Sequence, residues 1–286
     1  MGELRPSTHL CNRALAQGTC EGAELIEGGK LHVAFNGDMP GTGLKDGKLT
    51  GIDGSIMNLI GERLGLEIVP EQMEWSAEIE SVKSRRVDLM HGMMGWGEAR
   101  TKVITMTDPI YYSGALMTQM KGAGIKTLAD LEGKRIGTQQ GFGWVPELQA
   151  IAPDLMLYDT SDAALRDLAA GRVDVLFLDP PLMRYTETIK PDLNIESIPV
   201  VDPYDPALPQ ITDKYQVVFG MSKEAPKLEA CINAAIKEIW ASCENIKAAA
   251  AFGFADAYWF LPPSQPSRQG IDRPADWEYP AKAACN

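Results

Sequence analysis

The sequence predicts an α/β fold built from two similar lobes, and three observations carry that prediction. From residue 30 onward, short β-type runs alternate with amphipathic helical stretches, the signature of α/β layering. After Lys121 the same alternation begins again. Finally, "SRRVDLMHGMM" (84–94) is echoed by "AAGRVDVLFLD" (169–179): each is a helix end, then Arg-Val-Asp, then a strand that empties into a loop. Each lobe thus carries a loop beyond a strand's C-terminal end, where open α/β sheets bind ligands.

The elements follow in order. "LHVAF" (31–35) reads as a strand. From Asp53 to Leu64, Ile56, Leu59, Ile60 and Leu64 recur at helical spacing, with Asp53 as the expected cap and Gly65 as the stop. "LEIVP" is a second strand, Ser76 to Ser84 a second helix, "VDLMHGMM" (87–94) a third strand, "VITMT" a fourth and "SGALMTQM" (113–120) a further extended run. The second half repeats the series with "KRIGTQ", a helix near 144–151, "LMLYD", a helix over 162–170 closed by Gly171, and "VDVLFLD". "YQVVFGMSKEAP" (215–226) runs as a strand into a turn before a helix from about 225 to 242, whose Leu228, Ile232, Ala235, Ile236, Ile239 and Trp240 form one apolar stripe. Beyond Phe252 the chain is too broken by proline for regular structure and too aromatic for a solvated tail, so it is expected to pack over a lobe.

Composition narrows the function. With 286 residues, 45% hydrophobic, the chain fits one large or two medium domains with real cores. Its 27 basic against 39 acidic residues give a net charge of −12, with no lysine/arginine stripe, which argues against nucleic acid or an anionic membrane surface as partner. No apolar run approaches a membrane helix, and "MGELRPSTHL" lacks the apolar core of a signal peptide. Either the protein is cytosolic or a signal has been removed. The five cysteines (Cys11, Cys20, Cys231, Cys243, Cys285) have no zinc-type spacing, so no metal is expected. Cys11 and Cys20 flank a short polar segment and read as a loop-closing disulfide, while Cys285 is left to reach Cys231 or Cys243. His9, His32 and His91 form no catalytic or metal constellation, and no nucleophile elbow or phosphate loop is present, so no catalytic residue is assigned.

The stretch "MHGMMGWGEARTK" (90–102) is the sharpest local feature: glycines and a tryptophan around a cation, a loop suited to an anion. Together with "GKLTGIDGSIMNLIGERLG", "VKSRRVDLM", "EARTKVITMTDPIYY", "LADLEGKRIGTQQG", "DLAAGRVDVLFLD" and "YQVVFGMS", it makes residues 30–254 resemble the periplasmic amino-acid-binding proteins of ABC importers, the bacterial extracellular solute-binding proteins of family 3. The resemblance implies a two-lobed periplasmic-binding-protein fold: two α/β lobes joined by two hinge strands, with the ligand in the cleft. Lobe 1 would comprise 28–113 and 221–255, lobe 2 with the hinge strands 114–220, with an extension at 1–27 and a Pro/Trp-rich extension at 256–286.

It also implies site residues. Arg100, eight residues before Asp108-Pro109, stands where the family's carboxylate-binding arginine stands; the plainer alternative is a surface arginine paired with Glu98. The family commonly has hydroxyls at Gly95 and Gly97; their absence from this loop, which also contains Met93, leaves backbone donors, and either the ligand is larger than a simple amino acid or Trp96 turns in with a ring face, the plainer alternative being that Trp96 covers the lobe surface. Asp179 matches the aspartate that pairs with a ligand ammonium, the alternative being a cap for the helix that follows. Trp75 occupies the aromatic stacking position, and Asn36 and Asp38 follow the first strand into the cleft, with Asp38 and Glu74 hinting at a cationic group. In "GTQQGFGW" (137–144), Gly143 replaces a usual threonine, Gly141 and Gly143 expose N–H groups at a helix start, and Phe142 and Trp144 join Trp75 and Trp96 as candidate pocket walls, the plainer alternative being core packing for at least two of the four.

The expected function is a monomeric, non-enzymatic periplasmic protein that captures an amino acid or a bulkier, cationic analogue for the membrane subunits of an ABC importer, without cofactor, its signal peptide already removed. A cyclohexadienyl-dehydratase-like enzyme on the same fold and a sensory binding module are the alternatives.

Overall fold

A computed structural model describes Cys20–Pro280. The chain divides into two compact units: the first runs up to Tyr111 and includes Gln216–Ala251 and the chain from Ser267, the second comprises Tyr112–Tyr215 and Phe252–Pro266. Two of the four passages between units fall in the strands Tyr111–Gly114 and Lys214–Val217, which form a two-stranded sheet of their own.

Each unit is built around a five-stranded sheet of the same pattern. In the first the order is Glu67–Gln72, Lys30–Phe35, Leu89–His91, Gly220–Met221, Thr105–Met106. Its first three strands are parallel, and Gly220–Met221 runs antiparallel to both neighbours. In the second the order is Met156–Tyr158, Ile136–Gln139, Val175–Phe177, Leu116–Met120, Ile195–Pro199, again with three parallel strands beside one that runs antiparallel to both its neighbours.

The repeated Arg-Val-Asp has a structural cause. In the first unit the Arg86 N–H bonds back to Ser81 O, Val87 is buried, and the Asp88 carboxylate accepts the N–H groups of His32 and Ile26 at 2.9 and 3.0 Å. In the second unit Arg172 N–H bonds to Asp167 O, Val173 is buried, and Asp174 accepts the Arg135 backbone N–H at 2.8 Å and its side chain as well. In both, the aspartate ties the third strand to the start of the adjacent parallel strand. The residue before the repeat takes a left-handed conformation in each, φ 55° at Arg85 and 65° at Gly171, as a helix C-terminus requires.

"VDVLFLD" is apolar throughout because its strand is covered on both faces. Val175 and Phe177 belong to one buried cluster with Met117, Ile136, Trp144 and Leu148, whereas Leu176 and Leu178 belong to another with Leu165, Leu168 and Met183. In the first unit the Pro226–Ala241 helix buries Leu228, Ile232, Ala235, Ile236, Ile239 and Trp240, the stripe the sequence predicts, and Cys231 with them.

Four expectations need correction. The helix predicted from Asp53 spans Gly51–Leu64, with Thr50 at its N-cap, and Asp53 sits inside the first turn, fully buried. The strand predicted over 87–94 is regular only over Leu89–His91, because the chain then breaks into loop with Met93 at φ 54°. Cys20 bonds to Cys231 rather than Cys11, which lies outside the described residues. The reason is spatial: Glu24 Oε2 accepts the N–H groups of Lys227 and Leu228, both at 3.0 Å, and so holds the chain after Cys20 against the start of the helix that carries Cys231. The C-terminal stretch expected on one lobe is shared, with Phe252–Pro266 in the second unit and the chain from Ser267 in the first. Among the described residues, no helix is long and apolar enough to cross a membrane.

Candidate functional site

In the first unit the loops beyond the C-terminal ends of Lys30–Phe35 and Leu89–His91 are fastened to one another. Asn36 Oδ1 accepts from Thr42 Oγ1 at 2.7 Å, and Asn36 Nδ2 donates to Asp38 Oδ2 at 2.7 Å. Gly92 is in contact range of both Asn36 and Trp75: a Cβ placed on it would lie 3.0 Å from the Trp75 ring and 3.2 Å from Asn36 Oδ1. Met93 lays its side chain over Gly41, where a Cβ would collide with it at 2.4 Å.

Asp53 is the pin beneath these loops. Its carboxylate accepts the Met93 N–H at 2.7 Å and the Tyr111 hydroxyl at 2.9 Å. Burial pushes its carboxyl up to about 6, against the hydrogen bonds from Met93, Tyr111 and Gly92. Glu78, three residues after Trp75, is fully buried, and neither carboxyl oxygen has a hydrogen-bond partner. Burial pushes it up to about 8, and the charges of Asp38 and Asp53 add to the shift. Sequence reasoning missed both roles. Glu78 had a signal: at the spacing Trp75, Glu78, Val82 it puts an acid on the helix face that the apolar residues mark as buried.

Beyond Met93, the chain pairs with the return strand. Gly95 bridges to Val217, Val218 N–H donates to Met94 O at 2.9 Å, and Trp96 N–H donates to Gln216 O at 2.8 Å. The N–H groups of Met93 and Trp96 are therefore engaged, and the expectation of backbone donors from this loop is corrected at those two residues. Trp75 and Trp96, both partly buried, pack on the same cluster of Ala34, Val82, Met90, Met94, Ile104, Met106 and Val218. The indole Nε1 of Trp96 donates to Asp272 Oδ2 at 3.1 Å. Arg100, in the single helical turn Glu98–Thr101, is exposed and donates from Nη1 to Gly95 O, which folds its guanidinium back over the glycine loop; no ion pair joins it to Glu98. The first unit thus brings Asn36 and Trp75 together at Gly92, with Asp38 bonded to Asn36, and brings Arg100 to Gly95 farther along the same loop, with Met93 and Trp96 between.

In the second unit Asp179 follows the Val175–Phe177 strand and caps the Pro180–Ile189 helix, its Oδ1 accepting the Leu182 N–H at 2.9 Å. Burial raises its carboxyl above the usual range. Phe142 is partly buried and Gly141 and Gly143 are exposed in the loop after Ile136–Gln139. Trp144 is a core residue: it is buried, its Nε1 donates to Thr138 Oγ1 at 3.0 Å, and its ring lies 4.9 Å from that of Phe142. The chain therefore places Asp179, Phe142 and Gly143 at the ends of neighbouring strands of one sheet, with Trp144 beneath them.

His32 and His91 are structural, and His9 lies outside the described residues. His32 Nδ1 and Glu71 Oε1 are 2.8 Å apart, and His91 is buried between Phe35 and Phe219. Among the described residues no cluster of His, Cys, Asp or Glu could hold a metal ion.

Residues 31–251 match the family model of bacterial extracellular solute-binding proteins, family 3. The L-cystine-binding protein TcyJ of Escherichia coli strain K12 is 29% identical over 162 residues; the match covers 54% of this chain, which spans only 61% of that protein's length. The histidine-binding periplasmic protein of Salmonella typhimurium is 26% identical over 225 residues, covering 74% of this chain and 82% of that protein. Among solved structures, the unliganded open L-cystine solute receptor of Neisseria gonorrhoeae matches with a TM-score of 0.69 at 21% identity, over 79% of this chain and 93% of that one, a likeness of fold.

Proposed function

Since this chain belongs to the bacterial extracellular solute-binding proteins, family 3, we propose that it captures an amino acid or amino-acid-like compound outside the cytoplasm and delivers it, unchanged, to the membrane subunits of an ABC importer. The family match over residues 31–251, which takes in every candidate loop, is the observation that carries this reading. The named specificities of the cystine- and histidine-binding relatives support the amino-acid class.

In this proposal the protein acts as a monomer and Arg100 receives the ligand carboxylate. Its guanidinium is exposed and held by one carbonyl, Gly95 O, and two parallel charge-assisted bonds to a carboxylate are a stronger arrangement for it. Trp75 and Trp96 supply ring faces, and Met93 and Gly95 shape the loop between them. Asn36 and Asp38 meet the ligand's polar or cationic portion. The charges of Asp38 and Asp53 both act on the Glu78 carboxyl, a negative field that favours a positive group. Asp179 receives the ammonium, with Phe142 and Gly143 alongside.

Thermal-shift screening against the standard amino acids, L-cystine, opines, betaines and polyamines tests the proposal. A compound at about a thousand times its Kd stabilises the folded state by ~4 kcal/mol, so one class should stand out. No shift from any of them, or conversion of the bound compound into product as seen by mass spectrometry, would overturn it.

A further inference from the structure

We infer that the C-terminal stretch Ser267–Trp277 is a working part of the proposed ligand site, with Asp272 as the positioning residue for Trp96 and the buried Arg268 as its anchor. The inference rests on the reading of Trp96 as a ligand-facing residue. The stretch lies beyond residue 251, where the family match ends, so it is an addition to the shared fold.

Arg268 is fully buried, and a buried guanidinium is tolerated only when its donors are satisfied. Nη1 donates to Thr107 O at 2.8 Å and Nη2 to Met106 O at 3.0 Å. Nε and Nη2 together grip Asp272, at 3.0 Å to Oδ1 and 2.6 Å to Oδ2. Arg273 adds a second hold, donating to Met106 O at 2.9 Å and to Asp108 Oδ1 at 2.8 Å. Thr105–Met106 is the edge strand of the first unit's sheet, so the two arginines fasten the stretch to carbonyls that no further strand engages.

The consequence falls on Trp96. Asp272, held at both oxygens by Arg268, accepts the indole N–H, and the Arg268 guanidinium carbon lies 5.8 Å from the indole ring centroid. The backbone of Trp96 is tied to Gln216, but its neighbours Gly95 and Gly97 have no side chains with which to brace the ring. The indole packs on the cluster that includes Met94 and Met106, and the C-terminal stretch fixes the direction of its N–H. With its only side-chain donor engaged, Trp96 presents carbon and π surface where hydroxyls would present hydrogen bonds, so the site selects a ligand with an apolar or cationic group at that position.

The test is a double-mutant cycle on binding, with Kd measured calorimetrically for L-arginine, L-histidine and L-cystine. Asp272→Asn should weaken the tightest of the three by roughly five- to tenfold and change the ranking among them. Trp96→Phe keeps a ring but removes the N–H, so in that background Asp272→Asn should have no further effect. The 19F signal of 5-fluorotryptophan at position 96, assigned by its loss in Trp96→Phe, should move in Asp272→Asn; a general loss of stability would not abolish the coupling between the two positions. Equal effects of Asp272→Asn in both backgrounds, an unmoved 19F signal, or no binding of any of the three by the wild type would each overturn the inference. Arg100→Ala, which leaves the Trp96–Asp272 pair intact, separates the two proposals: unchanged Kd values there would sink the carboxylate assignment while leaving the Asp272–Trp96 coupling as measured.

Discussion

The two units share a sheet order and an Arg-Val-Asp step, yet the loops that leave their third strands are loaded in different ways. After Leu89–His91 the first unit runs into a glycine loop whose positions are set from outside it, by Asp53 beneath and Asp272 beyond. After Val175–Phe177 the second unit turns at once into a proline-led helix whose cap, Asp179, holds its own first turn. The first loop has its shape imposed by distant residues, the second carries its own. A common scaffold thus fixes where a loop leaves the sheet and leaves open what the loop is made to hold.

The largest expected effect probes that contrast at the charged residues. Arg100→Ala should weaken binding of a carboxylate ligand by about thirtyfold or more, since it removes a charge-assisted pair worth roughly 2–5 kcal/mol. Asp179→Asn should weaken an amino acid by about tenfold, with little loss of stability because asparagine caps a helix as well as aspartate. Calorimetric titration of both variants checks the order; a larger loss for Asp179→Asn would reverse the assignment of the dominant contact to the first unit.

Stability against pH should separate the units next. Glu78 has its carboxyl raised from 4.5 to about 8 by burial, so between those values the folded state holds a proton that the unfolded state has lost, and stability falls as pH rises. Relative to wild type, Glu78→Gln should remove that decline and raise stability above pH 8 by a few kcal/mol. Lys214 of the second unit, donating to Tyr258 O and Leu261 O, is lowered by burial to about 8, so its contribution runs the other way: stability rises as pH climbs from about 8 to 10.5. Lys214→Met should flatten that rise. Thermal unfolding across pH 4–11 distinguishes the two slopes, and a Glu78→Gln profile parallel to wild type would remove Glu78 from the account.

The smallest effects come from glycines. Gly92→Ala should lower ligand affinity about three- to tenfold by pressing on Trp75 and Asn36, with contacts of 3.0 and 3.2 Å. Gly171→Ala, at φ 65° with open space around it, should cost ~1 kcal/mol of stability and leave affinity unchanged. An affinity change in Gly171→Ala, measured by the same titration, would show that the helix-end echo does more than fold the chain.

The sequence alone determined the α/β class, the duplication and the apolar stripe of the Pro226–Ala241 helix, because period, alternation and a repeated tripeptide are local properties that survive without coordinates. It also placed Trp75, Met93, Gly95, Trp96 and Arg100 on or beside loops at strand ends, since strand-to-loop steps are legible one residue at a time. Tertiary structure alone decided that Cys20 bonds to Cys231 across 211 residues, that Asp53 pins Met93 instead of capping its helix, that no partner meets the Glu78 carboxyl on its buried face, and that Asp272 holds Trp96 from 176 residues away. The physical reason is common to all four: a carboxylate or thiol can bond to many partners of suitable chemistry, and which one it meets depends on how distant segments pack, which no local pattern records.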